Sequence, residues 1–311
     1  MRVFAPALEL DHVSKTFGTF RAVDDLSFSV APGCVYGFLG PNGAGKTTTL
    51  RMVLDIFRPT SGRLLVLGAD SAFKVRQRIG YLPEEKGLYK KMKAWAVIAY
   101  LASLKGLDRG TAERRARELL QRFGLAAVAE TKIEALSKGM AQKVQVLAAI
   151  AHEPDLVIFD EPFSGLDPVN QAVLEEVIAN LKARGVTLVF STHVMQHAER
   201  LCDRLLIISR GKRLFEGTLK EAQRTQPVRV QLRAEENLDF LRQLPGATHL
   251  QKLDGGRWEL RLTPDADPQS VLEACFSQRV RLQSYNAAEP TLHDVFVNLV
   301  GPDAREARAD A

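Results

Sequence analysis

Short apolar runs without polar interruption recur through the first two thirds of the chain. They are Val35–Gly40, Leu156–Asp160, Val186–Ser191 and Leu205–Ser209. Uninterrupted apolar strands are typical of a parallel sheet that is covered on both faces. Longer segments with helical periodicity lie between these runs, so the pattern up to about residue 217 predicts an α/β domain.

One of these helices is marked at both ends. Over Val169–Arg184 the apolar residues recur with helical spacing, and Asp167 and Pro168 are suited to the N-cap and first turn. Gly185 is suited to the C-terminal end. The predicted buried stripe comprises Val169, Ala172, Val173, Val177, Ile178 and Leu181.

A second pattern, almost entirely helical, covers about residues 89–136. Met92–Leu104 and Thr111–Phe123 read as two helices separated by Gly106 and Gly110. With the following helix, Met140–His152, this segment predicts a helical subdomain at about residues 89–152, inserted between strands of the sheet.

The last third of the chain predicts a separate, small α+β domain. Strands are expected at Val228–Arg233, His249–Lys252, Trp258–Leu262 and Val280–Tyr285, and helices at Glu236–Leu244, Pro268–Phe276 and Leu292–Leu299. Asp254-Gly255-Gly256 is a hairpin signal. We therefore expect a first domain over 1–222, a linker near Gln226-Pro227, a second domain over 228–300 and a frayed tail over 301–311.

Composition excludes several classes of protein. The chain has 311 residues, 46% of them hydrophobic and 25% charged, with a net charge of +5, which is ordinary for a globular protein. Cys34, Cys202 and Cys275 are too far apart and too few for a disulfide framework or a cysteine zinc site, which favours a reducing compartment. The apolar run Ala94–Leu104 is too short to span a bilayer, so we expect any membrane role to come through a partner.

The strongest chemical signal follows the first apolar strand. Gly40, Pro41, Asn42, Gly43, Ala44, Gly45, Lys46 and Thr47 match the phosphate-binding loop pattern, and a helix-forming run, Thr48–Phe57, comes next. Glycines allow backbone N–H groups to turn around phosphate oxygens, and the helix directs its positive end at the same anion. Lys46 is expected at the β- and γ-phosphates and the Thr47 hydroxyl at Mg²⁺. The alternative is a glycine-rich turn that matches by chance.

Two acids end the second apolar run. Asp160 is expected to hold Mg²⁺, and Glu161 to act as the general base that polarises the attacking water. Taken alone, acids at the end of an apolar strand mark a functional site no more often than a point where the strand reaches solvent. The phosphate-binding loop elsewhere in the chain favours the functional interpretation.

Three further segments carry a resemblance to a known family. "LSKGM" (Leu136–Met140) resembles the signature motif of ATP-binding cassette (ABC) ATPases, "SGLDP" (Ser164–Pro168) resembles their D-loop, and His193 in "STHVM" their switch histidine. The motifs occur in the family's order over roughly residues 8–220. The resemblance implies a P-loop NTPase cassette of the ABC type with a helical subdomain, followed here by the small α+β domain.

The resemblance also implies roles for individual residues. Ser137 and Gly139 are expected at the γ-phosphate of ATP bound to an opposite subunit, so that two copies, or this chain and a similar cassette, pair around ATP and Mg²⁺. Thr48 and Asp167 are expected at the nucleotide, His193 at the γ-phosphate, and Phe17 on the adenine ring.

Some of these assignments have competitors. Phe17 is alternatively an ordinary core residue, and His193 alternatively pairs with His197 as a metal clip. The four lysines of Lys86–Lys93 are either a solvated helix start or a surface that faces a membrane subunit or anionic headgroups.

The chain also departs from the family pattern at three positions. Glu84 replaces the Q-loop glutamine, where a carboxylate can still meet Mg²⁺ or water, and Lys138 and Met140 replace residues of the signature. These variants, together with the closing segment Ala287–Gly301, resemble exporter ATPases of the sodium- or antibiotic-efflux type. The job of the C-terminal domain is left open by the resemblance.

The expected function is that of an ATP-hydrolysing subunit, peripheral on the cytoplasmic face of the membrane, that drives an exporter through separate transmembrane permease subunits. Nucleic acid is not expected as a partner. The competing classes are a soluble ABC ATPase that acts on ribosomes or nucleic acid, and a nucleotide sensor that does not hydrolyse ATP.

Overall fold

The computed structural model describes residues 5–85 and 87–301. The chain divides between Glu216 and Gly217 into two compact units, whereas the sequence-based boundary lies at 222. Lys86 and the tail beyond Gly301 lie outside the described residues.

The described residues of the first unit contain nine strands. They are β1 Leu8–Phe17, β2 Phe20–Val30, β3 Val35–Leu39, β4 Ser61–Val66, β5 Ile79–Leu82, β6 Leu156–Phe159, β7 Thr187–Thr192, β8 Arg204–Ser209 and β9 Lys212–Gly217. Six of them form a sheet in the order β5-β6-β7-β3-β8-β9, with parallel pairing from β5 through to β8. Every residue of β3, β6 and β7 is buried, which confirms the predicted two-sided cover.

The second sheet of this unit was not evident in the hydrophobic pattern. Strands β2, β1 and β4 form an antiparallel sheet in that order. The β1–β2 ladder shifts register between Leu10 and Val13 and again on either side of Lys15. These irregularities break the two-residue alternation that would have marked β1 as a half-buried strand.

The helices of this unit are α1 Lys46–Val53, α2 Ala94–Leu104, α3 Arg109–Arg122, α4 Lys138–Ile150, α5 Pro168–Ala183 and α6 Met195–Leu201. Helix α1 ends four residues before the predicted Phe57, because Asp55 has a left-handed backbone with φ of 57°. Helix α5 has the predicted Asp167 N-cap, but Val169 is 73% exposed, Ala172 is also exposed and Leu174 is buried instead, so the predicted stripe is wrong at its first two positions.

The second unit has its own sheet and core. It contains α7 Leu219–Gln223, β10 Val228–Arg233, β11 Ala247–Lys252, β12 Arg257–Leu262, α8 Gln269–Ser277, β13 Ser284–Ala288 and α9 Leu292–Val300. The sheet is antiparallel in the order β11-β12-β10-β13, and its apolar face packs around Trp258 and Leu260.

Two predicted elements of this unit are wrong. The strand expected at Val280–Tyr285 lies instead at Ser284–Ala288, where Asn286 pairs with Gln231 of β10. The helix expected at Glu236–Leu244 is reduced to a 3₁₀ turn over Asp239–Gln243.

Within residues 5–85 and 87–301, none of the helices combines the length and apolar character that a bilayer span requires.

Candidate nucleotide-binding site

The phosphate-binding loop joins the buried strand β3 to α1, as the sequence predicts. Gly43 and Gly45 have φ values of 76° and 102°, a left-handed conformation that favours glycine. A Cβ on Gly40 would lie 2.5 Å from the carbonyl oxygen of Ile208, and one on Gly45 would lie 2.6 Å from that of Ala22. In the same loop Asn42 is exposed, Pro41 and Ala44 are buried, and Thr47 and Thr48 are half-buried. The loop therefore packs closely against β2 and β8, and a side chain at Gly40 or Gly45 would not fit there.

The Lys46 ammonium lies inside this loop and is only 6% exposed. Its Nζ donates hydrogen bonds to the carbonyl oxygens of Gly40 at 2.7 Å and Pro41 at 3.2 Å. It also lies 3.5 Å from Oε1 of Glu161. Burial lowers the pKa of Lys46, and the neighbouring Glu161 carboxylate opposes that shift. The loop thus holds a buried positive charge that a phosphate could share.

Asp160 follows β6 and is 1% exposed. Its Oδ1 accepts hydrogen bonds from the Ser191 hydroxyl at 2.6 Å and the Thr47 hydroxyl at 3.4 Å. Burial raises the pKa of Asp160, against the lowering effect of these hydrogen bonds. Mg²⁺ prefers carboxylate and hydroxyl oxygens, and usually takes only one or two ligands from the protein beside phosphates. The Thr47–Asp160 pair therefore fits this ion.

Glu161 lies between Lys46 and His193. The Nδ1 of His193 donates to Oε2 of Glu161 at 3.0 Å, while Oε1 is buried without a hydrogen bond. Burial opposes ionisation of Glu161, but the His193 hydrogen bond and the Lys46 charge together leave its pKa below the usual value. The same hydrogen bond raises the pKa of His193, which is half-exposed. The orphaned carboxylate oxygen is an acceptor that an attacking water could meet.

Residues at the ends of three neighbouring strands thus form one cluster, which we call the charged cluster: Lys46, Thr47, Asp160, Glu161 and His193. They follow β3, β6 and β7, whose carboxyl ends share one edge of the parallel sheet. The combination of a concave backbone loop, a buried ammonium and a carboxylate–imidazole pair can bind a phosphate and polarise water.

Glu84 and Phe17 lie at positions that the charged cluster does not include. The exposed Glu84 follows β5, and its charge opposes the lowering of the Lys46 pKa and adds to the raising of the His193 pKa. Phe17 is 47% exposed at the end of β1, with Phe57 edge-on at 5.4 Å and the Lys15 ammonium 5.1 Å from its ring centre. The alternative of an ordinary core phenylalanine is therefore wrong.

Ser137, Gly139 and Asp167 lie elsewhere, at the starts of α4 and α5. The Ser137 hydroxyl accepts from the Met140 N–H at 3.2 Å, and Asp167 accepts from the Asn170 N–H at 2.9 Å. Both caps are exposed to solvent. In the described part of the chain, no hydrogen bond or ion pair joins these residues to the charged cluster, and their expected places at a nucleotide stay predictions.

The two histidines proposed as a metal clip have separate neighbours. His193 pairs with Glu161, whereas the His197 ring is buried and stacks on Phe163, with centroids 3.9 Å apart and planes 9° apart. His197 also lies 3.7 Å from Glu175. Across residues 5–85 and 87–301, no three His, Cys, Asp or Glu side chains are grouped to hold a metal ion.

Two residues that contact the site were missed in the sequence. Ser191 donates to the Asp160 carboxylate and accepts from the backbone N–H of Glu161, and its signal was a hydroxyl at the end of an apolar strand two residues before His193. Gln145 of α4 donates to the backbone oxygen of Glu85 at 3.1 Å and so ties the segment after β5 to the helical subdomain. A glutamine within an amphipathic helix gives no sequence signal for such a contact.

Comparison with known proteins agrees with this geometry. A family model described as "ABC transporter" matches residues 23–164, and one described as "ATP-binding protein DrrA1-3-like, C-terminal domain" matches residues 217–300. The solved "ATP binding subunit of ABC transporter" superposes with a TM-score of 0.65 and 34% identity, over 70% of this chain and 92% of that one.

Two curated relatives match nearly the whole chain. The uncharacterized ABC transporter ATP-binding protein YhaQ of Bacillus subtilis is 40% identical over 295 residues, or 94% of this chain and 98% of that protein. The linearmycin resistance ATP-binding protein LnrL of the same species is 32% identical over 96% of this chain and its own full length. The chain therefore belongs to the family of ABC transporter ATP-binding proteins.

Proposed function

We propose that this chain is the Mg²⁺-dependent ATPase subunit of an ABC exporter. The observation that carries the proposal is the charged cluster, in which a buried lysine, two buried acids and a histidine meet at the phosphate-binding loop. ATP is the substrate, and its phosphates complement the Lys46 ammonium.

The loop residues bind and orient the nucleotide. Gly40, Gly43 and Gly45 shape the loop so that its N–H groups face the phosphates, and α1 directs its N-terminus at the same anion. Thr47 and Asp160 supply the oxygens for Mg²⁺. When bound, this ion neutralises charge that develops on the transferred phosphoryl group.

Glu161 acts as the general base. Its lowered pKa favours the ionised carboxylate. Its Oε1, which accepts no hydrogen bond and lies 3.5 Å from the Lys46 ammonium, takes a proton from the attacking water. His193 holds the other oxygen, which fixes the direction of Oε1, and its half-exposed ring would remain available to contact the γ-phosphate. Lys46 changes partner from the loop carbonyls to the phosphates on binding.

The site is completed by a second cassette, either another copy or a similar chain. Ser137 and Gly139 open α4 on an exposed surface, where the hydroxyl and helix N-terminus suit a γ-phosphate. Asp167 lies at the equivalent start of α5, and the exposed Phe17 ring offers a face for adenine.

Export and a membrane location are supported by the named relatives. One is the linearmycin resistance protein, and another is the Nod factor export ATP-binding protein I of Paraburkholderia xenovorans, which is 38% identical over 68% of this chain and 70% of its own. We place the subunit on the cytoplasmic face of the membrane, attached to separate permease subunits. The exposed Lys90 and Lys91 suit a contact with them.

The base assignment is tested with Glu161→Gln. We expect ATP to bind at least as tightly as in the wild type, because a negative charge beside Lys46 is lost, and turnover to fall by about 10²–10⁴-fold, because the amide cannot accept the proton. The variant should form a stable dimer in Mg²⁺-ATP, measured by light scattering after size exclusion. Glu118→Gln removes an exposed charge from α3 and serves as the control. Wild-type turnover in Glu161→Gln contradicts the assignment.

The transporter role is tested separately by affinity purification from detergent-solubilised membranes. We expect a multi-span membrane protein to accompany the chain. Recovery only with ribosomes or nucleic acid contradicts the proposal and supports the competing soluble class.

A further inference from the structure

Ser191 joins the two acids of the charged cluster through one hydroxyl. Its Oγ donates to Oδ1 of Asp160 at 2.6 Å and accepts from the backbone N–H of Glu161 at 2.8 Å. The side chain is fully buried, with 0% exposure. A serine hydroxyl has a single hydrogen, so donation to Asp160 fixes its orientation.

The register of the sheet sets up this contact. Phe159 of β6 pairs with Phe190 of β7, so the residues that follow, Asp160 and Ser191, come side by side. On the other side of β7, Ser191 pairs with Phe38 of β3, which leads into the phosphate-binding loop. Ser191 is therefore held on both flanks by the central strands of the sheet.

The conformation of Glu161 depends on a hydrogen bond from this region because its backbone is strained. Its φ is 46°, a left-handed conformation that is unfavourable for a residue with a side chain. The Ser191 oxygen is the hydrogen-bond partner of its N–H at this turn. The turn directs the carboxylate back toward Lys46 and His193.

We propose that Ser191 is a positioning residue that couples the metal-binding carboxylate of Asp160 to the strained turn of the base Glu161. This rests on the proposed ATPase function. The Ser191 hydroxyl contacts both the Asp160 carboxylate and the Glu161 backbone N–H. Its removal therefore loosens the carboxylate that would hold Mg²⁺ and also the backbone that orients the general base. Both metal-dependent binding and turnover should then change together.

The test compares Ser191→Ala with Thr187→Val. Thr187 lies on the same strand, is 2% exposed, and accepts the Gly33 N–H at 3.0 Å, so its variant loses the same kind of bond away from the acids. The measurements are the affinity for a fluorescent ATP analogue in EDTA and in Mg²⁺, steady-state kcat and KM, and the thermal unfolding midpoint.

For Ser191→Ala we expect unchanged affinity in EDTA, a gain on adding Mg²⁺ that is at least fivefold smaller than in the wild type, and a kcat at least tenfold lower. Thr187→Val should lower the thermal unfolding midpoint without changing the Mg²⁺ gain or kcat. If Ser191→Ala loses stability but keeps the wild-type Mg²⁺ gain and kcat, Ser191 is merely structural and the inference is overturned.

Two further results separate the possible failures. If the wild type shows neither Mg²⁺-dependent ATP binding nor turnover, the proposed function itself is wrong. If Ser191→Ala does not fold, Ser191→Cys takes its place, since the thiol fills the site but donates weakly. A wild-type Mg²⁺ gain and kcat in Ser191→Cys then overturn the inference.

Discussion

Lys46 and Glu161 are buried with opposite charges, and each compensates part of the other's loss of solvation. Their exposed fractions are 6% and 9%, and the atoms Nζ and Oε1 are 3.5 Å apart. Removing one partner of such a buried pair strongly destabilises the protein, because the other charge is left alone in a medium of low polarity. Substitutions at either residue therefore combine a functional effect with a structural one. Isosteric changes at neighbouring positions are more informative.

Glu84 offers such a change. Its negative charge favours the protonated forms of Lys46 and His193, and it would repel the phosphates of ATP bound beside them. We expect Glu84→Gln to bind Mg²⁺-ATP roughly threefold more tightly, because removing one exposed like charge is worth on the order of 0.7 kcal/mol in a water-like medium. Fluorescence titration measures the affinity.

The neighbouring Glu85→Gln is the matched control, since it removes the same charge from an adjacent exposed position. Equal tightening in both variants would indicate a general charge effect. Weaker binding in Glu84→Gln would indicate that its carboxylate contributes to holding the metal ion, and would contradict the repulsion argument.

Among the helices and strands, the best predicted were those with strong end signals. Asp167, Pro168 and Gly185 marked α5 correctly, and the uninterrupted apolar runs marked β3, β6, β7 and β8. The strand β13 was misplaced because only Tyr285 and Ala287 are its inward residues, and Ala287 gives little hydrophobic contrast with the exposed Ala288. Val280 and Leu282 contribute to the core from a segment outside any strand.

For the site, the sequence was sufficient wherever a residue type is tied to a local spacing. The phosphate-binding loop and the acids after β6 belong to this class. Ser191 and Gln145 do not, because their roles depend on contacts with Asp160 and Glu85 that only strand register and helix packing create. Single-sequence patterns carry no information on such long-range pairs.

The packing of α4 on α5 gives a prediction at the scale of elements. A Cβ on Gly139 would lie 2.3 Å from Nδ2 of Asn170, and this side chain is held by Oδ2 of Asp167 at 2.6 Å. We expect Gly139→Ala to lower the unfolding free energy by about 1 kcal/mol, because either the clash remains or the Asn170 bond is broken.

A double-mutant cycle isolates this contact. In an Asn170→Ala background the added methyl group meets no obstacle, so the cost of Gly139→Ala should fall to near zero, as measured by urea unfolding. Additive effects of the two substitutions would show that the starts of α4 and α5 are not coupled through this contact.

At the scale of the whole molecule, the chain consists of two units with separate hydrophobic cores. The cores of the first unit lie on either side of the parallel sheet, and that of the second lies against the four-stranded sheet. Every residue of the charged cluster belongs to the first unit. We infer that nucleotide binding needs only the first unit, and that the second is an independent folding module.

Separate expression of residues 1–216 and 217–311 tests this division. The second fragment contains a single tryptophan, Trp258, which is 3% exposed in the core beside Leu260 and Leu232. Burial of an indole in an apolar core shifts its fluorescence to shorter wavelength, so we expect a blue-shifted emission that is lost in one cooperative urea transition. The first fragment should bind Mg²⁺-ATP within about threefold of the full chain.

Leu232→Ala, which opens a cavity beside Trp258, should lower the midpoint of the second fragment by an amount corresponding to about 2–4 kcal/mol. A non-cooperative transition in the second fragment, or loss of nucleotide binding in the first, would show that neither core is sufficient alone.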